Sequence, residues 1–117
     1  HTLVIDRPLE AGGGGAGFNG GELLHLAVAG CVSNDLFREA RALGISLRRV
    51  RVAARGEFAG EPAVSRGIEY EVEIEGEADG ERLGALVARV DAIAEIPNSL
   101  RRGTPVRLAA VRVSPRR

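Results

Sequence analysis

Among the side chains able to do covalent chemistry, Cys31 stands alone as the only cysteine of 117 residues. Two histidines, His1 and His25, accompany it and give no metal-ligand spacing with it, so no metal site and no cofactor are expected. A serine triad lacks support, because His25 has no partner that the sequence identifies. The spacing places His25 near Glu22, one helical turn before it. A thiol can attack an electrophilic oxygen only as the thiolate. Apolar surroundings and a carboxylate one turn on, Asp35, both disfavour that form at Cys31.

The element that must carry Cys31 is the stretch from Asn19 to Gly44, which reads as one long helix. Asn19 and Glu22 form a capping-box pattern, and Gly44 supplies the left-handed residue that stops the helix. From Leu23 to Val32 nearly every residue is apolar or small, so this half is expected to be buried on all sides. From Ser33 onward Leu36, Phe37, Ala40 and Leu43 keep one apolar stripe. Asp35, Arg38, Glu39 and Arg41 are expected to face water.

The rest of the chain reads as follows. Thr2 to Asp6 alternates as a short strand that Pro8 ends. Gly12 to Gly17 form a mobile linker. A phosphate cradle would need a following Lys-Ser/Thr or a dinucleotide fingerprint, and neither is present. Val50, Val52 and Ala54 alternate with Arg49, Arg51 and Arg55. Ile68, Tyr70, Val72 and Ile74 alternate with Glu69, Glu71, Glu73 and Glu75. Two antiparallel strands with charges paired on a solvent face account for both patterns. Asp79 caps a second helix with Leu83, Leu86, Val87, Val90 and Ile93 at helical spacing, interrupted by Pro97. Asn98 to Gly103 is a polar turn, Val106 to Val113 a closing strand, and Ser114 to Arg117 a frayed tail. The order is α+β with an antiparallel-rich sheet, in a single domain over residues 1–117.

Composition bounds the function. Sixteen basic and sixteen acidic residues cancel to a formal net charge of zero, which gives no bulk attraction to nucleic acid or an acidic membrane. No apolar run reaches the roughly 18–20 residues that span a bilayer. A lone cysteine fits a reducing cytoplasm. With no methionine, His1 reads as a processed or trimmed start. Aromatics are 3%, leaving a small aliphatic core, and the all-round apolar half-helix calls for a second copy of the chain to cover it.

The run from Gly21 to Cys31, Gly-Glu-Leu-Leu-His-Leu-Ala-Val-Ala-Gly-Cys, resembles the central-helix motif of the OsmC/Ohr family of thiol hydroperoxide reductases. The approach segment Val4 to Gly17, the run Gly44 to Leu47 before the charged strand pair, and Ala94 to Leu100 resemble the same family. The resemblance implies an intertwined homodimer with long helices packed together and each active site at the interface. It implies that Cys31 attacks a small hydroperoxide. The family's resolving cysteine precedes a proline after the second helix, where this chain has Ile96 before Pro97, so an external thiol reductant would have to regenerate Cys31. The family's catalytic carboxylate falls at Gly21, with Glu22 one position later. The activating arginine has Arg7, Arg38, Arg101 and Arg102 as candidates. Arg38, two turns from Cys31, reads as too far to touch it, and Arg7 or the Arg101–Arg102 pair are preferred. The alternative is a non-catalytic dimer that holds a small apolar or lipid-like ligand between subunits.

Overall fold

The structure, a computed structural model, describes residues 1–115; Arg116 and Arg117 of the expected tail lie outside the described residues. Its long helix α1 runs Gly20–Ala42 and begins with the full capping box. The Asn19 side chain accepts from the Glu22 amide at 2.9 Å, and the Glu22 carboxylate accepts from the Asn19 amide at 3.0 Å. Gly44 takes φ +69° just past the C-terminus, which any other residue would adopt only with strain.

Two strands follow, β1 (Leu47–Ala59) and β2 (Val64–Gly76), as one antiparallel ribbon. The register sets Arg49 opposite Glu75, Arg51 opposite Glu73 and Arg55 opposite Glu69 on one face. Val50, Val52 and Ala54 meet Ile74, Val72 and Tyr70 on the other. The charged face forms the expected pairs, Arg51 to Glu73 at 3.6 Å and Arg55 to Glu71 at 3.0 Å. These pairs are exposed, so each contributes little to stability and mainly fixes register.

Helix α2 (Gly80–Ile93) is capped by Asp79, whose side chain accepts from the Arg82 amide at 2.8 Å. Its Leu86 and Val90 pack on Val32, Leu36 and Ala40 of α1, with Ile45 and Ala94 closing the ends of this core. Burying a leucine side chain of this kind is worth about 2 kcal/mol.

Six expectations are corrected here. The break in the second helix falls at Ala94, which is extended (φ −60°, ψ 121°), and a further helix α3 (Glu95–Arg101) contains Pro97. Proline is tolerated there because the first turn of a helix has no partner for its N–H, so Asn98 to Arg101 is helical and not a turn. Thr2 to Asp6 makes only one bridge, Ile5 to Phe18, and no strand. Val106 to Val113 is unpaired and exposed throughout, because none of the described residues pairs with it as a strand. Leu26, in the half-helix expected to be buried all round, is 52% exposed because α2 and the ribbon cover only part of α1. Asp35, expected in water, is buried at 6% exposure against Arg38.

The glycine-rich loop is pinned and not mobile. The Asp6 carboxylate accepts from the amides of Arg7 (2.7 Å), Gly14 (3.3 Å) and Ala16 (3.0 Å). Those bonds, Ala16's foremost, hold the Asp6 carboxyl below its usual range. They also answer the phosphate question, since the chain's own carboxylate already occupies these loop amides. A Cβ at Gly13 would lie 2.1 Å from the Arg7 carbonyl oxygen, and one at Gly17 2.3 Å from that of Val4. Only glycine admits such close backbone approach.

The whole is elongated, 66 × 30 × 29 Å, with a radius of gyration of 18.3 Å. A compact chain of this length would have about 13 Å. Among the described residues no helix is long and apolar enough to cross a membrane.

One polar cluster ties α3 to the ribbon. The Tyr70 hydroxyl donates to Asp91, and Arg101 donates to the Asp91 carboxylate at 2.7 Å and to Asn98 Oδ1 at 2.9 Å. Burial first, and the bond to Asp91 second, push the Tyr70 phenol up to about 12. Its folded value thus exceeds the roughly 10 of an unfolded tyrosine. The stability this contributes is fully present below about pH 10 and is lost as pH rises toward about 12.

Two measurements check the packing and the cluster. Leu86→Ala, at a site with 0% exposure, should cost about 2–5 kcal/mol in denaturant unfolding at fixed protein concentration; a loss under about 1 kcal/mol would contradict the assigned core. Tyr70 is the only tyrosine, so near-ultraviolet absorbance titrates it alone, with a midpoint expected near 12 in wild type. Asp91→Asn should lower that midpoint toward about 10, and an unchanged midpoint would show that the pair does not form.

Candidate functional site

Arg7, Asn19, Gly21, Glu22, His25 and Phe58 line an open groove of about 740 Å³ at the N-terminus of α1. Two of the three expected site residues, Arg7 and Glu22, therefore come together. The Asp6-pinned loop places Arg7, which donates to the Ala11 carbonyl at 3.4 Å. The capping box fixes Glu22. At Gly21 the Phe58 ring comes so close that an added Cβ would lie 2.7 Å from it and push the ring aside.

His25 lines this groove together with Glu22, one turn before it on α1. Its ring stacks on Phe58 with centroids 5.9 Å apart and planes 21° from parallel. A Cβ at Gly56 would lie 2.7 Å from His25 Nε2, so a glycine in the strand admits the imidazole. That Nε2 is buried without a hydrogen-bond partner. The isolated Gly56 inside an alternating strand was the sequence signal for this contact, since such a glycine often marks a close approach.

Cys31 lies elsewhere. It is half-buried and packs against the α1–α2 core. It follows Glu22 by nine residues on α1, which is about 13.5 Å along the axis and about 180° around it. Within one chain Cys31 and the Arg7–Glu22 groove are on opposite sides of the helix. On the side of Cys31, Leu24 and Val28 of α1 line a second groove of about 400 Å³ with Ile68, Tyr70, Pro97 and Arg101. Pro97 thus meets α1 one turn from Cys31, and the residue before it is Ile96.

The remaining arginine candidates divide clearly. Arg101 is engaged by Asp91 and Asn98, while Arg102 is exposed at the end of α3. Arg38 folds back onto Asp35 at 3.2 Å and also donates to Glu39 at 3.2 Å, which Arg89 of α2 reaches at 2.7 Å. The Glu39 hydrogen bond, then the charge of Asp35, raise the Arg38 guanidinium above its usual range. The Arg89 and Arg38 bonds hold Glu39 low. No sequence pattern pointed to this network, because its members come from two helices. Among the described residues no cluster of histidine, cysteine and carboxylates could hold a metal ion.

Comparison with known proteins agrees with this architecture. An OsmC-like protein from Mycoplasma pneumoniae is similar at 20% identity and a TM-score of 0.73, over 87% of this chain and 73% of that one. An organic hydroperoxide resistance protein OsmC from Legionella pneumophila is similar at 23% identity and a TM-score of 0.58, over 85% and 73%. A Vibrio cholerae protein, described as a candidate organic hydroperoxide resistance protein with captopril bound in one of its active sites, is 25% identical. Its TM-score is 0.58 over 87% of this chain and 70% of that one. No curated protein sequence matches. The model of the OsmC-like protein family matches residues 12–109, most of the chain, and the chain belongs to that family.

Proposed function

We propose that the protein is a one-cysteine thiol hydroperoxide reductase that works as a homodimer. Cys31 is the nucleophile, and Glu22 with Arg7 orients the peroxide from the partner copy. The observation that carries this reading is the split within one chain. A groove holding a guanidinium and a carboxylate has no nucleophile, and the only thiol lies two and a half turns along α1 on its opposite side. A second copy packed along α1 can bring one chain's thiol to the other chain's groove. Exposed Leu26, Phe37 and the unpaired Val106 to Val113 segment support such a copy, because lone chains seldom leave so much apolar surface in water. The likeness to hydroperoxide resistance proteins supports the choice of substrate.

The chemistry balances as follows. The Cys31 thiolate attacks the outer peroxide oxygen, forming an S–O bond as the O–O bond breaks. The alkoxide leaves and takes a proton to become an alcohol, and Cys31 becomes a sulfenic acid. An external thiol attacks that sulfur, water leaves, and a mixed disulfide forms. A second external thiol then releases Cys31. With Ile96 before Pro97, no internal disulfide can form.

Cys31→Ser should abolish dithiol-dependent consumption of an organic hydroperoxide, while the oligomeric state stays that of wild type. Intact mass after peroxide should show added oxygen on Cys31. Ile96→Cys should instead give an internal disulfide under the same treatment. Turnover that persists in Cys31→Ser contradicts the mechanism, and an Ile96→Cys variant that never crosslinks contradicts the family alignment.

A further inference from the structure

Reduction of a hydroperoxide at Cys31 needs a proton for the departing alkoxide, and a thiolate has none to supply. Of the residues lining the Arg7–Glu22 groove, only Asp6, Arg7, Glu22 and His25 carry groups that exchange protons. Three loop amides, Ala16's foremost, hold the Asp6 carboxyl below its usual range, so it has no proton to give near neutral pH. The Glu22 carboxylate accepts from the Asn19 amide. A guanidinium never gives up its proton in a protein. That leaves the imidazole of His25, the side chain that gives and takes protons near neutrality.

The structure holds this ring in a fixed pose. Phe58 stacks on one face, with centroids 5.9 Å apart and planes 21° from parallel. The Cε1–Nε2 edge enters the space that a side chain at Gly56 would fill, 3.1 and 2.7 Å from an added Cβ. The Gly67 carbonyl oxygen crowds the same spot, 2.6 Å from that Cβ. Nε2 is buried with no hydrogen-bond partner, so Nδ1 is the nitrogen left to meet a molecule in the groove. An unpaired buried polar atom in a folded chain calls for a reason, and a ring that changes its protonation state supplies one.

The charged groups facing the ring are Asp6 and Arg7 from the approach segment and Glu22 from its own helix. On the ribbon, Arg55, Glu57, Arg66 and Glu69 flank Gly56 and Gly67 in a separate groove. Arg55 there is taken by Glu69 and Glu71.

We propose that His25 is the general acid of the reaction, a catalytic residue that protonates the leaving alkoxide from within the groove. This deepens the thiol reductase reading and rests on it. The Cys31 thiolate of the second copy attacks the outer peroxide oxygen, forming the S–O bond as the O–O bond breaks. The electron pair of the broken bond stays on the inner oxygen, and the Nδ1 proton of the charged ring moves to it, giving the alcohol. In the charged ring Nε2 donates to the Gly67 carbonyl, the acceptor at hand. The ring, left neutral, regains a proton from solvent, matching the one that Cys31 gave up on becoming a thiolate.

The test compares two oxidants whose leaving groups differ. tert-Butyl hydroperoxide expels an alkoxide, which needs a proton, whereas peracetic acid expels acetate, which does not. Single-turnover oxidation of Cys31 in the intact protein is followed for each by thiol titration. His25→Gln should slow the hydroperoxide at least about tenfold and peracetic acid by less than about twofold. A packing defect at the His25–Phe58 stack would slow both alike. His25→Ala should regain hydroperoxide rate when free imidazole is added. In wild type, the ratio of hydroperoxide to peracid rate should fall as pH rises from about 5 to about 7, the range in which a histidine loses its proton. Thiolate formation cancels from that ratio, and the measurement stands even where a His25 variant does not fold. Equal slowing of both oxidants by His25→Gln, or of neither, overturns the proposal, as does a ratio that stays flat with pH. With Cys31 oxidation intact, those results refute this assignment alone. If neither oxidant reacts at Cys31, the reductase reading falls and takes the assignment with it.

Discussion

Val32, Leu36 and Ala40 of α1 pack against Leu86 and Val90 of α2, and this contact organises everything else. Helix spacing places those three residues on one stripe, and the second helix offers Leu86 and Val90, one turn apart, to meet it. The contact fixes α1 beside the ribbon, whose Val50, Val52, Tyr70, Val72 and Ile74 are only partly buried against it. A single stripe is thereby satisfied, while α1 carries apolar residues over more of its circumference. Leu26 and Phe37 stay exposed, and so do Leu3, Val4, Ile5 and Phe18 on the approach.

The same geometry decides what the chain can do alone. Rotation of about 180° along α1 separates Cys31 from Glu22, and no side-chain rotamer reverses that. A thiol enzyme built from these residues must therefore be assembled from two chains. The unusual extent of 66 Å fits a half whose arms reach toward a partner. Charge placement follows the same logic: the carboxylates near each arginine hold it in position, Asp35 and Glu39 at Arg38, Asp91 at Arg101.

Sequence reading recovered what is local. The capping box at Asn19 and Glu22, the stop at Gly44, the Arg–Glu ladder and the Asp79 cap are all set by residues within a few positions or by a strict period of two. Features that depend on distant partners were misread. Thr2 to Asp6 and Val106 to Val113 have strand alternation, but a strand also needs a neighbour to accept its hydrogen bonds, and alternation cannot supply one. Asp35 reads as a surface residue until the fold buries it. The Gly12 to Gly17 loop reads as slack chain until Asp6 is seen to collect its amides. Of the expected site, Arg7 and Glu22 were named from the sequence, but that they line one groove apart from Cys31, the Arg38 network and the His25–Phe58 stack all needed coordinates.

The central claim is that the fold and the site are completed by a second copy of the chain. Light scattering coupled to gel filtration at micromolar concentration tests it most directly. A mass twice the 12.3 kDa of the chain, unchanged on dilution until the protein unfolds, is the expected result. A well-folded species at the single-chain mass would contradict it.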